Sequence, residues 1–217
     1  MSDALPKTGP SPWKKPSERK RQREIKREAV LSTAVRFFNL KGFNATSLDD
    51  VAVALNVTKP TIYHYFSSKD EILFECVERG LDAIRDAARA VEERGGTGME
   101  RLKALMHDYA ICMTHDFCTC VTRTADHELS PESRAEFRRI KREIDQTVRR
   151  VVQSGIDDGT IAAGDMLMMT FTLTGALNWV ARWYSPDGPR TREEIANGVV
   201  DVLVNGLAPR PNAEVAA

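Results

Sequence analysis

Hydrophobic residues recur with helical spacing along most of the chain, and no stretch alternates as a strand would. Leu31, Ala34, Val35 and Phe38 lie at positions i, i+3, i+4 and i+7, and Gly42 follows them as a helix end. The same spacing continues from Met99 onward. The pattern predicts an all-α protein of about nine helices, with an N-terminal three-helix helix-turn-helix head and a larger C-terminal helical body.

Two short helices are predicted inside the head. Thr46 or Ser47 is suited to cap the first of them, and Thr58 to cap the second, which has Pro60 in its first turn. Asn56 stands between the helices and tolerates the left-handed conformation that a tight turn requires. The two helices are therefore predicted to form a helix-turn-helix.

Composition and spacing divide the chain into four parts. Residues 1–20 are rich in proline and basic residues and lack periodicity, so they are predicted to be a disordered basic arm. Residues 21–69 form the head, residues 70–210 the body, which would bind ligand and dimerise, and residues 211–217 a disordered tail.

Charge is distributed unevenly between the head and the body. Residues 1–69 hold 13 Lys or Arg against 6 Asp or Glu, whereas the remainder holds 18 against 25. This asymmetry favours contact between the N-terminal part and a polyanion.

The N-terminus does not resemble a signal peptide, so we expect a cytoplasmic protein. The uncharged run 166–181 is too short for a membrane span, and no membrane association is expected.

The outer face of the third helix carries groups suited to touching DNA. A helix over residues 58–66 would be about 13 Å long, and a major groove about 12 Å wide admits such a helix. Hydroxyls and lysines at nearby helix starts are suited to phosphate. The predicted DNA-contacting residues are Thr46, Ser47, Thr58, Lys59, Pro60, Thr61, Tyr63, His64 and Lys69. Short capped helices also occur in bundles that bind no DNA, so a dimeric helical scaffold remains an alternative.

The segment "TSLDDVAVALNVTKPTIYHYFSSKDEIL" resembles the helix-turn-helix signature of the TetR family of bacterial transcriptional regulators. The resemblance covers roughly residues 25–75 and includes the Gly42-Phe43 turn and the aromatic run "YHYF". It implies a homodimer whose third helix enters the major groove of a double-stranded DNA operator. Asn56 stands where the family usually has Gly, and Val53 places an apolar side chain on the outer face of the second helix.

The resemblance also implies dimerisation through the last two long helices, at about residues 165–183 and 191–207. The second of these helices has an apolar stripe, and its two glycines would permit close approach. The stripe consists of Ile195, Val199, Val202, Leu203 and Leu207, with glycines at 198 and 206. An intramolecular core stripe is the alternative. A dimer of this kind would bind a palindromic operator.

The stretch "WVARWYSPDGPRTREEIANG" resembles TetR-like regulators that sense fatty acyl-CoA and related thioesters. Flexible and aromatic apolar residues in the body are compatible with a pocket for a small apolar or acyl-CoA effector, although such residues also build ordinary cores. Arg142 and Arg182 are further possible partners for a ligand's phosphate or carboxylate. The predicted ligand-binding residues are Met106, Tyr109, Met113, Phe117, Arg123, Phe137, Ile140, Met169 and Trp179.

Other chemistry is weakly indicated. A metal site at His115, Cys118 and Cys120 lacks the ligand spacing of zinc sites, so no metal and no cofactor is expected. A thiol-based redox sensor using Cys118 and Cys120 remains an alternative. No motif of an enzyme is present, and the chain is not expected to be one. The sequence therefore predicts a ligand-responsive repressor that an effector releases from DNA.

Overall fold

A computed structural model describes residues 16–206, which fold into nine α-helices and one 3₁₀ turn with no strand in that range. The prediction of an all-α protein is confirmed. The 3₁₀ turn, Asp126–Glu128, follows α6. The helices are α1 (Pro16–Lys41), α2 (Leu48–Ala54), α3 (Lys59–Tyr63), α4 (Lys69–Glu92), α5 (Gly98–Cys112), α6 (Asp116–Arg123), α7 (Pro131–Asp157), α8 (Met166–Trp183) and α9 (Arg192–Asn205).

The first helix begins earlier than the sequence predicts. Residues 16–20 are predicted to belong to the disordered arm, but α1 starts at Pro16, a residue that suits the first turn of a helix. This part of the prediction is wrong, because the charged residues that follow Pro16 are themselves good helix formers. The rest of the arm and the tail 211–217 lie outside the described residues.

The head is built from α1, α2 and α3 around a small apolar core. Ser47 caps α2, and its hydroxyl accepts from the backbone N–H of Asp50 while the Asp50 carboxylate accepts from the backbone N–H of Ser47. Asn56 has φ +54°, as predicted for the turn after α2. The buried side chains that hold the three helices together are Leu31, Ala34, Val35, Phe38, Leu48, Val51, Ala52, Ile62 and Phe66.

The third helix is shorter than predicted. Its α-helical part is the five residues Lys59–Tyr63, instead of a helix over 58–66. His64 and Tyr65 continue as a turn, because the N–H groups of Tyr65 and Phe66 both donate to the Ile62 carbonyl. The helix therefore presents about two turns to its surroundings, counting this extension.

Helix α4 leads from the head into the body without an intervening loop. It packs against α5, α6 and α7, and its contact with α6 is close at Gly80. A Cβ built on Gly80 would lie 2.4 Å from the Phe117 carbonyl oxygen, so only glycine fits there. Helix α9 packs on α5, and α8 contacts α5, α6 and α7. None of the helices between residues 16 and 206 is both long and apolar enough to cross a bilayer.

Candidate nucleic-acid interface and ligand cavity

The outward face of α3 carries the residues that the sequence assigned to it. Pro60, Thr61, Tyr63 and His64 are exposed, whereas Ile62 points into the core. Tyr63 keeps 48% of its surface accessible, which leaves its ring and hydroxyl free to contact another molecule. The helix period thus separates a packing face from a contact face within five residues.

Polar contacts orient the side chains at the start of α3. The Lys59 ammonium donates to the Asp49 carboxylate of α2 at 2.8 Å, and this hydrogen bond raises the pKa of Lys59. The hydroxyls of Thr58 and Thr61 lie 3.0 Å apart and share a hydrogen bond. Because both pairs are exposed, DNA can replace these partners without uncovering the core.

The two hydroxyl residues before α2 differ in role. Thr46 was predicted to contact phosphate, but only 2% of it is accessible, and its hydroxyl donates to the Gly42 carbonyl at 2.8 Å. This placement corrects the prediction, because the turn after α1 directs Thr46 inward to satisfy a main-chain oxygen. Ser47 is exposed, and its hydroxyl, which accepts from Asp50, keeps its own hydrogen to donate.

Lys69 lies at the first residue of α4 beside the head. Its ammonium stands 4.2 Å from the centre of the Phe43 ring, and partial burial lowers its pKa. The Arg27 guanidinium of α1 forms an ion pair with Glu75 and stacks 4.6 Å over the Phe66 ring. Arg27 therefore joins α1 to α4, whereas the basic residues that precede it on α1 are exposed and suited to contact the phosphates of DNA.

Val53 is an exposed apolar residue on α2, with 79% of its surface accessible. Its position beside the contact face of α3 makes it a candidate for apolar contact with DNA, for example with a thymine methyl group. The sequence identified Val53 as facing outward but did not include it among the DNA-contacting residues.

A cavity of about 600 Å³ lies in the body between α4, α5, α6, α7 and α8. We call it the first cavity. Its lining is apolar on the α4 side and mixed on the α7 and α8 sides. The lining residues are Leu81, Ile84, Tyr109, Val121, Thr122, Thr124, Lys141, Arg142, Ile144, Asp145, Phe171, Thr174, Gly175, Asn178, Trp179 and Arg182.

Two of the nine predicted ligand-binding residues, Tyr109 and Trp179, line this cavity. Phe117 and Met169 are partly buried and lie outside its lining, and Arg123 lines a different cavity. The remaining four are fully buried in the core, namely Met106, Met113, Phe137 and Ile140. The prediction is corrected for these residues, because helical periodicity locates buried faces and does not separate core from cavity wall.

Polar groups in the first cavity converge from three helices. The Tyr109 hydroxyl donates to the Asn178 side-chain oxygen at 2.9 Å, and burial raises the pKa of Tyr109 strongly. The carboxylate of Asp145 is paired with Arg149 at 2.8 Å, whereas Arg142 and Arg182 form no ion pair within residues 16–206. The cavity thus combines an apolar wall with unpaired positive charge. Lys141, Thr174 and Asn178 also line the cavity but were not among the predicted ligand-binding residues. The hydroxyl of Thr174 and the amide of Asn178, both within the apolar helix α8, would have indicated a polar site.

A second cavity of about 300 Å³ lies where α1 and the start of α4 meet α6 and α8. Residues 38–43 line one side of it, and Leu73, Cys120 and Glu128 line another. It shares Thr124 and Arg182 with the first cavity.

The cysteines are all free thiols, and Cys118 and Cys120 have different partners. The Cys118 thiol donates to the Gly80 carbonyl at 3.6 Å, while that of Cys120 contacts the Thr124 hydroxyl at 3.7 Å. A hydrogen bond with Cys112 and burial raise the pKa of Cys118, and burial raises that of Cys120 to about 12. This geometry disfavours the alternative of a redox pair at these positions. Across residues 16–206 no group of three or more His, Cys, Asp or Glu is placed to hold a metal ion.

Two family models match the chain, one in each part. Residues 30–76 match the model described as "Bacterial regulatory proteins, tetR family", and residues 95–207 match the model described as "Tetracyclin repressor-like, C-terminal domain". The first match contains the outward face of α3, and the second contains most of the lining of the first cavity.

Individual relatives are similar over most of their length. The transcriptional repressor KstR2 of Rhodococcus jostii (strain RHA1) is 25% identical over 186 residues, which are 84% of this chain and 91% of that protein. The crystal structure of the TetR family regulator PfmR from Thermus thermophilus has a TM-score of 0.76 and 30% identity, and covers 83% of this chain and 99% of its own. AibR, in complex with isovaleryl coenzyme A and operator DNA, has a TM-score of 0.72 and 27% identity, and covers 82% of this chain and 97% of its own.

Proposed function

Because this chain belongs to the tetR family of bacterial regulatory proteins, a family of DNA-binding regulators and not of enzymes, we propose that it represses transcription as a homodimer on a palindromic operator. A small-molecule effector, a fatty acyl-CoA or a related thioester, releases it from DNA. The observation that carries the proposal is the exposed face of α3 and its N-cap, on which Thr58, Pro60 and Tyr63 are all accessible.

The DNA contacts divide into two groups. Lys59, Pro60, Thr61 and Tyr63 on the exposed side of α3 are suited to the base edges of the major groove, because a short helix enters it N-terminus first. Phosphate contacts come from Ser47, Thr58, His64 and Lys69, which flank this face and would fix the position of the head without reading sequence.

The effector class is supported by the chemistry of the first cavity and by a relative. An apolar wall made by Leu81, Ile84 and Phe171 suits an acyl chain, and the absence of ion pairs at Arg142 and Arg182 among the described residues makes the region positive, which favours an anionic effector. AibR, which is similar over most of this chain, is described in complex with isovaleryl coenzyme A. A CoA thioester combines both chemical features.

Release from DNA follows from the position of α4. Leu81 and Ile84 of α4 line the first cavity, while the N-terminal part of the same helix is tied to α1 by the ion pairs Arg79–Glu28 and Arg27–Glu75. An effector that prefers a different placement of α4 shifts the population of head positions, and the heads of a dimer then no longer fit successive grooves. The operator of a bacterial regulator lies on DNA in the cytoplasm, so the proposed function agrees with a cytoplasmic location.

Dimerisation is supported by the exposed apolar surface on the last two helices. Phe171 is 55% exposed and Trp179 65% exposed on α8, and Val202 is 49% exposed on α9. Ile195 of the predicted stripe is instead buried in the core. Gly206 has φ +69° and ends α9, so chain geometry accounts for this glycine without a dimer contact.

The test is fluorescence anisotropy of the purified protein on the DNA upstream of its own gene, over a range of salt concentrations. We expect sequence-selective binding that weakens steeply with salt, and release by a long-chain acyl-CoA. Tyr63→Ala and Lys59→Ala should each weaken operator binding by about 1–3 kcal/mol, with unchanged dimerisation. Lys103→Ala, an exposed lysine of α5, is the matched control. Normal operator affinity in both α3 variants would refute the assignment of this face.

A further inference from the structure

The second cavity adjoins the first at two residues. Thr124 and Arg182 contribute to both linings, so the two cavities are neighbours that share these two residues as a boundary. The second cavity also contacts the last turn of α1, which belongs to the head. A single elongated molecule that displaces the side chain of Arg182 at this boundary would extend from the middle of the body to the junction with the head.

The guanidinium groups of this cavity have main-chain partners. Arg123 donates to the carbonyl oxygens of Asn39 at the end of α1 and of Ala181 in α8, and Arg182 donates to that of Thr122 at 3.2 Å. Neither arginine forms an ion pair with a carboxylate in the range 16–206. A carboxylate or phosphate adds charge–charge attraction and can accept two parallel hydrogen bonds from one guanidinium, which a main-chain carbonyl cannot, so an anion can displace these carbonyls.

The remaining charges leave the cavity positive. Lys41 is paired with Asp50 at 3.6 Å. Glu128, the one carboxylate among the described lining residues, accepts from the backbone N–H of Ala125 at 2.8 Å. The buried side-chain oxygen of Asn39 has no donor within the described part of the chain, and it is available to accept from an N–H or O–H of a ligand.

We propose that the second cavity binds the anionic group of the effector, a phosphate or a carboxylate, between Arg123 and Arg182, while the apolar part of the same molecule fills the first cavity. The proposal rests on the proposed function in taking a small molecule as effector. An anion bound to Arg123 competes with the Asn39 carbonyl, so it weakens the attachment of α1 to α6. Binding in the body is thereby transmitted to the head at its C-terminal side, independently of α4.

Three probes with the same acyl chain test this assignment. Decanoyl-CoA carries phosphates, decanoate carries a carboxylate, and the decanoyl thioester of N-acetylcysteamine is neutral. Binding is followed by tryptophan fluorescence, since Trp179 lines the first cavity. We expect the wild type to bind at least one charged probe about tenfold or more tightly than the neutral thioester. The stronger of the two charged probes identifies the anion as phosphate or carboxylate.

Substitutions then locate the anion. Arg123→Gln and Arg182→Gln should each remove most of the preference for the charged probe and change the affinity for the neutral thioester less than about twofold. Arg190→Gln, an exposed arginine in the loop between α8 and α9, is the control and should leave the preference intact. Because Arg123 also joins α1 to α8, Arg182→Gln provides the test if Arg123→Gln fails to fold.

Several results would overturn the proposal. They are equal affinity of the wild type for charged and neutral probes, no binding of any probe, equal losses for all probes in both arginine variants, or loss of the preference in Arg142→Gln alone. The last result would place the anion beside α7 in the first cavity. Operator binding by ligand-free wild type is measured in parallel, so failure of the repressor assignment is detected separately from failure of the anion site.

Discussion

Side chains of the same chemical type have different roles within the head. Thr46 and Ser47 are adjacent hydroxyl residues before α2, and their position in the sequence suggested the same contact with phosphate. In the structure the Thr46 hydroxyl satisfies the Gly42 carbonyl, and only Ser47 faces outward. The difference arises from the turn after α1, where Gly42 has φ +84° and sets the direction of the following residues.

Thr46→Val tests whether Thr46 is structural. We expect a loss of about 0.5–1.5 kcal/mol in the free energy of unfolding, because valine cannot make the hydrogen bond that the buried Thr46 hydroxyl donates to the Gly42 carbonyl. Urea denaturation followed by circular dichroism measures this loss, and Thr46→Ser, which keeps the hydroxyl, should lose less. Operator affinity per folded molecule should remain unchanged in Thr46→Val. A large drop in affinity with normal stability would restore Thr46 to the DNA interface.

The sequence predicted which side chains of α3 face outward better than it predicted which residues line the cavity. Lys59 to His64 lie within two helical turns, so local periodicity alone assigns which side chains point outward. The first cavity is formed by five helices, and its walls depend on how those helices are arranged. Met106 and Phe137 have the same apolar character as cavity residues but are enclosed by neighbouring helices on all sides.

At the level of elements, helix starts were predictable because their signals are local. Ser47 caps α2 as predicted, and Ser68 caps α4, where the Glu71 carboxylate accepts from the backbone N–H of Ser67. Helices α2, α5 and α9 have complete capping boxes. The caps and their partners are Ser47 with Asp50, Thr97 with Glu100, and Thr191 with Glu194.

These capping carboxylates predict loss of stability in acid. The backbone N–H and the hydroxyl of Thr97 lower the pKa of Glu100 from its ordinary 4.5, and those of Thr191 do the same for Glu194. A carboxyl whose pKa is lowered on folding stabilises the protein above its ordinary pKa, and this contribution disappears as the pH falls through the lowered value. The melting temperature should therefore decline as the pH drops below about 4.5.

The double variant Glu100→Gln with Glu194→Gln provides the comparison. Glutamine keeps the capping geometry but does not titrate, so the melting temperature of the double variant should vary less with pH in this range than that of the wild type. Glu93→Gln removes a carboxylate outside the capping boxes and serves as the control. An equally steep decline in the double variant would show that other groups cause the acid sensitivity.

The contact between α4 and α6 depends on a single glycine. Gly80→Ala should destabilise the protein by about 1–3 kcal/mol, because the new Cβ would lie 2.4 Å from a carbonyl oxygen of α6 and force the helices apart. Thermal unfolding measures the loss. Gly95→Ala, whose Cβ would meet nothing within 4 Å, should change stability by less than about 0.5 kcal/mol. Equal stability of both variants would contradict close packing of α4 on α6.

For the whole molecule, the exposed apolar surface and the first cavity share residues. Phe171, Gly175 and Trp179 line the cavity and are also exposed on α8. Exposed aromatic residues grouped on one surface are typical of an association site. A second copy of the chain on this surface would therefore also close the cavity on its α8 side. The resemblance indicated the dimer helices, and Trp179 was also among the predicted ligand-binding residues. Phe171 and Gly175 were not, because their place in the cavity wall depends on the angle of α8 to α7.

Val202→Glu tests the proposed dimer and its link to the cavity. Val202 is half exposed on α9, so glutamate should leave the folded chain intact while placing a charge in the proposed interface. We expect sedimentation velocity to show monomers, with a normal helical circular dichroism spectrum. Operator affinity should fall by about tenfold or more, because the two heads are then no longer linked and bind the two half-sites as separate molecules.

Ala135→Glu introduces the same charge on an exposed position of α7 and should keep the dimer. Binding of decanoyl-CoA should also weaken in Val202→Glu if the partner covers the α8 side of the cavity. Dimers that persist in Val202→Glu would place the interface elsewhere. Monomers with unchanged affinity for decanoyl-CoA would show that each chain encloses its ligand alone, and that dimerisation serves DNA binding only.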